Sequence, residues 1–466
     1  MSERLDKTIA VGLLVTVVFT ALAHGAVESW SLALYELIIT LLLLMWAIKS
    51  ILDRKLKITI PAIAWPIFAL LVIGAAQSIS IGGPDTEIRS LSMDVEATRA
   101  TVTVLFFLLM SFLIAANFLD SRERFQTLIR FVVVYGLVLA VFALIQHLTW
   151  DGRFYWFRPT RVYAVFGPFA NRNHYAGYMA MLIPVPVGLI LSRAVPKEAW
   201  LLFGFGAAIM GLTVVVSLSR GGMVSVFAGL MFVAVMSGRQ ALARGGARVR
   251  RSAGGRSRSQ AMVRTGAVVA IAIAIAVGVF WIGAEGVINR AAQSIDEQSA
   301  PSQMRFFGRE WVWRDTLTMF SNHPIIGAGL GAYETVYPMY THSNGYMVVQ
   351  YAHNDYLQLL SDAGIVGGVA GIWFLVLLFR AIARGTRSAD PLLAGLAVGC
   401  GGGIFAILVH SLFDFNLQIP SNCLLFLLLA AVVSNIAATV DEVAPAVALK
   451  ERAAAEAGKL ATGVPS

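Results

Sequence analysis

Apolar residues follow one another along most of the chain in stretches that are long enough to cross a membrane. A helix of about 18 residues or more spans a hydrocarbon core of about 30 Å. The predicted spans lie near residues 8–24, 31–51, 59–78, 100–118, 128–149, 175–192, 199–218, 223–237, 265–284, 364–382, 392–413 and 420–438. The pattern therefore predicts an all-α polytopic membrane protein with about twelve transmembrane helices.

The composition agrees with this class of protein. Of the 466 residues, 58% are apolar and only 14% are charged, whereas a soluble domain is about half apolar and about a quarter charged. The two cysteines, Cys400 and Cys423, both lie inside apolar stretches. A disulfide framework or a thiolate metal site is therefore not expected.

The distribution of positive charge predicts the orientation of the chain. The loop 238–264 holds eight arginines and no acid, so the positive-inside rule places this loop and the N-terminus in the cytoplasm. With this topology 25 lysines and arginines lie inside and 11 outside, which together make the 36 of the chain. Because topology and anionic lipid headgroups explain the net charge of +9, the expected partners are membrane lipids and not nucleic acid.

The spans and loops divide the chain into five parts. They are N-terminal transmembrane helices (1–150), central transmembrane helices with the basic loop 238–264 (151–284), a large outer loop (285–363), C-terminal transmembrane helices (364–440) and a cytoplasmic tail (441–466). The first span could also be a cleaved signal peptide, although the next span follows at once and favours its retention.

The large outer loop contains a predicted amphipathic helix. Its face repeats at intervals of three or four residues: Arg309, Trp313, Thr316 and Phe320. Pro324 ends the pattern. Tryptophans at an interface are commonly membrane anchors, and Arg314 is expected to face lipid headgroups. Contact with lipid headgroups is also an alternative role for Arg309.

A second outer stretch, YAHNDYLQLLSDAGIVGG, carries a histidine at helical spacing. The face consists of His353, Leu357, Leu360 and Gly364. If the stretch is helical, His353 points into the bundle, Gly364 lets a neighbouring helix approach closely, and Asp355 lies about 200° away from His353 and does not orient it. A hydrogen-bonded core histidine is the alternative, but an ionisable residue facing the interior of a membrane bundle is a functional candidate.

Further cations and imidazoles lie on the same side of the membrane. Arg153, Arg158, Arg161 and Arg172 alternate with aromatic residues, Asn171, Asn173 and His174 surround the last of them, and Arg220 stands in SLSRGG. With this topology all seven histidines are outward, which favours a proton-transfer site there. The planar guanidinium group binds phosphate in a bidentate manner, so the arginines predict a phosphate-bearing ligand. The alternative is that these side chains extend to the membrane interface and bind no ligand.

These stretches together resemble the O-antigen ligase and O-antigen polymerase superfamily of bacterial membrane glycosyltransferases. The resemblance covers residues 160–380 through FGPFANRNHYAGY, SRGG, GREWVW with HPIIGAGLGAY, and AHNDYLQLLSDAGIVGG. The family's histidine, ten residues, glycine pattern falls on His353 and Gly364, and its two outward arginines fall on Arg220 and Arg309. An arginine, three residues, glycine pattern of some ligases is not met at Arg309, which leaves the subgroup open.

The resemblance implies a reaction and a site. It implies a GT-C-like fold with a partly helical periplasmic loop in the bacterial inner membrane. The donor would be a glycan on undecaprenyl pyrophosphate and the acceptor a sugar hydroxyl, reacting with inversion. His353 would be the general base, while Arg220 and Arg309 would bind the leaving pyrophosphate. Other substrate contacts are expected from Arg161, Arg172, Asn173, His174, Asn354, Tyr356 and Arg314, with Gly364 structural.

No cofactor or metal is expected, because the outer loops contain no D-x-D pair. Asp94, Glu96, Asp355 and Asp362 nevertheless leave a metal open. The acceptor also stays open: lipid A core for a ligase, which we favour, a growing lipid-linked glycan for a polymerase, or a protein. A transporter of a small anion or a polysaccharide precursor is a further alternative, but it would not explain the outer loop 285–363.

Overall fold

The computed structural model describes residues 2–81, 89–160, 165–249, 309–341 and 348–462. In these ranges the regular secondary structure is helical apart from two short hairpins, in which Ser80–Ile81 pairs with Arg89–Ser90 and Arg153–Phe154 pairs with Arg158–Pro159. The fold class predicted from the apolar pattern is therefore confirmed.

The helices of the first half of the chain follow the predicted spans closely. They are α1 (Ser2–Leu22), α2 (Ser29–Leu52), α3 (Ala64–Gln77), α4 (Val95–Phe118), α5 (Arg122–Leu148), α6 (Arg172–Leu182), α7 (Pro184–Leu191), α8 (Trp200–Val216) and α9 (Arg220–Val249). Several of these helices are preceded by a capping residue whose side chain accepts a hydrogen bond from an N–H group of the first turn. Asp94 caps α4 and Ser121 caps α5 in this way.

The second half contains a short outer helix, a single turn and three long helices. They are α10 (Arg309–Asn322), α11 (Tyr333–Val336), α12 (Asp355–Gly385), α13 (Pro391–His410) and α14 (Pro420–Thr462). Within the described residues, 10 helices are long and apolar enough to cross a membrane, and α3 is a shorter apolar helix. The span predicted at residues 265–284 lies outside the described residues.

The connections between helices collect at two opposite ends of the bundle. At one end, which we call the site end, Tyr155 bonds to the carbonyl of Leu22 at the end of α1, and the N–H of Ser421 bonds to the carbonyl of Gly25. The outer loop joins them, because Met93 N–H donates to Ala328 O at 2.9 Å. The loop that carries Ala328 therefore lies at the site end.

Glycines allow the central helices α7 and α13 to approach at backbone distance. A Cβ atom at Gly399 would lie 2.7 Å from the Val185 Cα, and a Cβ atom at Gly403 would lie 2.2 Å from the Met181 carbonyl oxygen in α6. Small residues at such crossings are typical of membrane helices. As a result the site ends of α6 and α13, which carry His174 and His410, are held together.

The structure corrects the predicted helix around His353. Helix α12 begins at Asp355, and Asn354 caps it by accepting hydrogen bonds from the N–H groups of Tyr356 and Leu357. His353 therefore lies before the helix and does not share a helical face with Gly364. Because the residue after a capping asparagine is the first residue of the helix, Asn354 defines where α12 begins.

Gly364 is the site of a kink in α12, where φ is +62°. The outer loop fits into the kink: Ile365 N–H donates to Pro324 O at 2.8 Å, and a Cβ atom at residue 364 would lie 2.3 Å from the Ile325 carbonyl oxygen. The close approach expected at Gly364 is therefore made by a loop backbone and not by a neighbouring helix. Gln77 of α3 donates to the carbonyls of Ile326 and Asp362 and fixes both partners.

The predicted outer helix is present as α10 and ends two residues before Pro324. Its buried face consists of Val312, Asp315, Thr316 and Met319. Thr316 and the hydroxyl of Tyr333 lie within hydrogen-bonding distance at 2.7 Å, so α10 packs on α11. Arg309 at the start of α10 is exposed.

Candidate active site

His353 occupies a strained position just before α12. Its backbone has φ of +51°, in the left-handed region that non-glycine residues seldom adopt. The side chain is 35% exposed, and its Nδ1 atom lies 3.2 Å from Oδ1 of Asp414. A strained, half-exposed imidazole that contacts a buried carboxylate is typical of a catalytic pair.

Asp414 lies in the short connection between α13 and α14 and is almost completely buried, with 1% exposure. Burial alone would raise the pKa of its carboxyl, but the hydrogen bond with His353 and the nearby imidazoles of His174 and His410 hold that pKa well below its usual range. The carboxyl is therefore ionised and can only accept hydrogen bonds. Its Oδ1 also accepts the N–H of Phe415 at 3.0 Å.

The ionised carboxylate assigns the tautomer of His353. Since Asp414 cannot donate, Nδ1 of His353 carries the proton in this pair, and Nε2 of the neutral imidazole is left with its lone pair. The arrangement orients the ring and stabilises the imidazolium that forms when Nε2 takes a proton. His353 can thus act as a general base at Nε2.

Phe415 joins the aromatic side chains around this pair. Its ring centroid lies 4.9 Å from that of His353, 4.8 Å from that of His174 and 4.5 Å from that of Tyr351. His174 is buried, so it packs behind Phe415 instead of facing solvent. Its predicted contact with substrate stays a prediction.

Arg220 and Arg309 lie near the same cluster. A Cβ atom at Gly221 would be only 2.9 Å from Nε2 of His410, so the start of α9 packs directly on this histidine and places Arg220 beside it. Arg309 is close enough to His410 for an electrostatic interaction. The structure therefore brings the two arginines and the His353–Asp414 pair to one end of the bundle.

Three exposed arginines lie at this end: Arg172 and Arg220 are the first residues of α6 and α9, and Arg309 is the first described residue of α10. In the described part of the chain none of the three has an ion-pair partner. The N-terminus of a helix carries a partial positive charge and free N–H groups. A cation at the same place adds to this charge, and the combination favours an anionic ligand.

Other predicted contact residues have partners within the protein. Asn354 donates to Leu412 O at 3.2 Å in addition to capping α12, and the Tyr356 hydroxyl donates to Leu408 O at 2.7 Å. Arg314 lies over the Trp311 ring at 5.6 Å. These contacts stabilise the structure, and the substrate-binding roles predicted for these side chains stay predictions.

The remaining predicted contact residues are Asn173 and Arg161. Asn173 is half-buried in the first turn of α6, next to Arg172. Arg161 lies outside the described residues. Arg158, a cation of the same segment, pairs with Glu28 at 2.8 Å and is not free for a ligand.

Asp414 and Phe415 were not among the site residues predicted from the sequence. Both stand in SLFDFNLQIP, a short outer connection in which an acid and an asparagine interrupt an apolar run. An acid in such a connection could have been noticed, but its distance of 61 residues from His353 hides the pairing. Within the described residues no group of three His, Cys, Asp or Glu side chains is arranged to hold a metal ion.

A comparison with protein families gave one match, in the central part of the chain. Residues 205–372, which contain Arg220, Arg309 and His353, match the family model described as O-antigen ligase. A comparison with curated proteins gave no match. Over the matched segment the chain is therefore similar to the O-antigen ligase family.

Proposed function

We propose that this protein is an O-antigen ligase, which transfers a glycan from undecaprenyl pyrophosphate to a sugar hydroxyl of lipid A core. The family match supports a function of the O-antigen ligase or polymerase type in general. The proposed location is the bacterial inner membrane, with the site end facing the periplasm. The observation that carries the proposal is the His353–Asp414 pair at 3.2 Å, at the same end as three exposed arginines.

In the proposed reaction the acceptor oxygen attacks the anomeric carbon of the donor sugar. Nε2 of His353 takes the hydroxyl proton as the new carbon–oxygen bond forms. The bond between the anomeric carbon and the pyrophosphate oxygen breaks, and its electron pair leaves with the pyrophosphate, so that the anomeric configuration is inverted. A positioned base of this kind contributes about 10²- to 10⁴-fold in rate.

Arg220 and Arg309 stabilise the leaving group in this proposal. The negative charge on the pyrophosphate increases as the bond breaks, and preorganised cations stabilise that change. The N-termini of α6 and α9 act in the same sense, because the positive end of a helix dipole favours an anion. Arg172 at the start of α6 is proposed to contact the donor phosphate together with them.

The acceptor is tested by a transfer assay with the full chain in proteoliposomes. Undecaprenyl-pyrophosphate-linked glycan is supplied with either lipid A core or a lipid-linked repeat unit as acceptor. We expect transfer to lipid A core, unchanged by EDTA because the arginines take the place of a metal. Elongation of the lipid-linked repeat alone would assign a polymerase, and the absence of transfer to both acceptors would refute glycan transfer.

A further inference from the structure

The two members of the His353–Asp414 pair belong to separate connections. They are 61 residues apart in the chain, and neither residue lies in an α-helix. A catalytic pair has to be held to within about 0.5 Å, and loops meet this requirement less well than helices do. The contacts between the two connections must therefore supply the precision.

The three residues that follow His353 bond to the last turn of α13 or to the connection that carries Asp414. Asn354 donates to Leu412 O at 3.2 Å, and the Tyr356 hydroxyl donates to Leu408 O at 2.7 Å. Between them, the Asp355 N–H donates to Ser411 O at 2.9 Å. The start of α12 is thus attached along the end of α13.

The side chain of Asp355 extends this attachment to the other side of Asp414. Its Oδ2 atom accepts the hydroxyl of Ser411 at 2.7 Å and the N–H of Leu417 at 3.1 Å. Ser411 precedes Asp414 by three residues and Leu417 follows it by three. One carboxylate oxygen of Asp355 therefore bonds to the connection on both sides of Asp414. Asp355 is 7% exposed, and hydrogen bonds are stronger where water is excluded.

We infer that Asp355 is a positioning residue that fixes the connection 411–417 and thereby the distance between His353 and Asp414. The inference rests on the proposed function of His353 as a general base. Asp355 does not touch the imidazole: it acts through the backbone on either side of Asp414. This role requires a hydrogen-bond acceptor of the right shape at residue 355 and does not require a negative charge.

Asparagine and alanine at residue 355 separate this role from acid–base chemistry. The carbonyl oxygen of an asparagine can accept both hydrogen bonds, whereas alanine accepts neither. We expect Asp355→Ala to lower kcat about 10- to 100-fold, as a misplaced catalytic group does, with little change in KM for the donor. We expect Asp355→Asn to transfer glycan at a rate within a few-fold of the wild type. Equal loss in both variants would show that the charge itself is needed and would overturn the inference.

A double-mutant cycle with Asp414→Asn tests whether Asp355 acts through Asp414. If it does, Asp355→Ala adds little to the loss that Asp414→Asn already causes, because coupled residues are not additive. Independent, multiplicative losses would overturn the inference. The cycle is measured as kcat of glycan transfer by the full chain in proteoliposomes.

Two milder variants cover the case in which Asp355→Ala does not fold. Ser411→Ala removes one of the two donors to Asp355, and Tyr356→Phe removes the bond to Leu408. Matched controls are Ser434→Ala, whose buried hydroxyl bonds within its own helix to Ala430 O, and Tyr340→Phe, whose hydroxyl lies against His323. We expect a several-fold loss of kcat in the first pair and none in the controls; equal rates in all four would overturn the inference.

His353→Ala in the same assay separates the inference from the proposed function. Loss of transfer in His353→Ala together with a wild-type kcat in Asp355→Ala would overturn the positioning role alone. Wild-type transfer in His353→Ala would instead overturn the general-base assignment.

Discussion

Helices that begin with an arginine occur at both ends of the bundle, and the two ends treat that arginine differently. At the end opposite the site, Arg122 starts α5, pairs with Asp390 and is followed by Glu123. At the site end, Arg172 starts α6 and Arg220 starts α9, and neither helix has an acid in its first turn. The same sequence feature is therefore compensated at one end and uncompensated at the other.

The physical meaning of the difference follows from the helix dipole. A cation at a helix N-terminus is unfavourable by about 0.3–1 kcal/mol. Asp390 offsets this repulsion for Arg122, whereas no described acid does so for Arg220. Positions that break a local rule without compensation are commonly functional, and an anionic ligand is the partner that would offset the charge at the site end.

The largest expected effect is at the proposed base, His353, which lies at the same end as these arginines. His353→Ala should lower glycan transfer by about 10²- to 10⁴-fold, because no other described group takes the place of its Nε2. His323→Ala is the matched control, since His323 lies at the same end and contacts Tyr340 at 3.1 Å. A near wild-type rate in folded His353→Ala protein would contradict the mechanism.

Substitutions of Arg220 test the comparison of the two ends directly. Arg220→Gln should lower kcat about 10²- to 10³-fold, the usual loss for one preorganised donor. Arg220→Lys keeps the charge and loses the planar fork, so its kcat should lie between those of Arg220→Gln and the wild type. Arg122→Lys at the opposite end should leave transfer unchanged; a loss there as large as in Arg220→Lys would show that the difference between the ends has no catalytic meaning.

Replacement of Asp414, the partner of the His353 imidazole, should lower kcat less than the replacement of His353 does. Asp414→Asn retains the shape of the side chain but removes the charge that stabilises the imidazolium, and we expect a loss of about 10- to 100-fold in kcat. The measurement is kcat with saturating donor and acceptor. An unchanged kcat would mean that the 3.2 Å contact does not assist proton transfer.

The smallest expected effect is on stability and has opposite signs at the two ends. Arg220→Gln should raise the free energy of unfolding by about 0.3–1 kcal/mol, because it removes a cation from a helix N-terminus. Arg122→Gln should not raise it, since Asp390 would lose its partner. Titration with SDS in mixed micelles measures both; a decrease for Arg220→Gln would refute the uncompensated charge.

Much of the fold could be predicted because apolar length and helix capping are local properties. The apolar stretches predicted the described membrane helices in order, and the polar stretches between them predicted the end at which the candidate site lies. The start of α12 was predicted wrongly, although Asn354 followed by Asp355 is a recognisable helix start. Local sequence rules are therefore sufficient to predict membrane helices, and also helix starts where the capping residue is taken into account.

The geometry of the site could not be predicted, because it depends on contacts between distant parts of the chain. The pairing of His353 with Asp414 requires α12, α13 and α14 to be packed, and the left-handed backbone of His353 follows from that packing. The loop that fills the kink at Gly364 is likewise held by Gln77, some 250 residues earlier. A single sequence contains no periodic pattern that reports such contacts.

The left-handed backbone of His353 has a practical consequence. Glycine adopts this conformation without strain, whereas the same conformation is unfavourable by about 1–3 kcal/mol for other residues. His353→Gly would therefore remove the base and relax the chain at the same point. Such a protein would hold donor and acceptor side by side without joining them, and the unreacted pair could be captured for imaging.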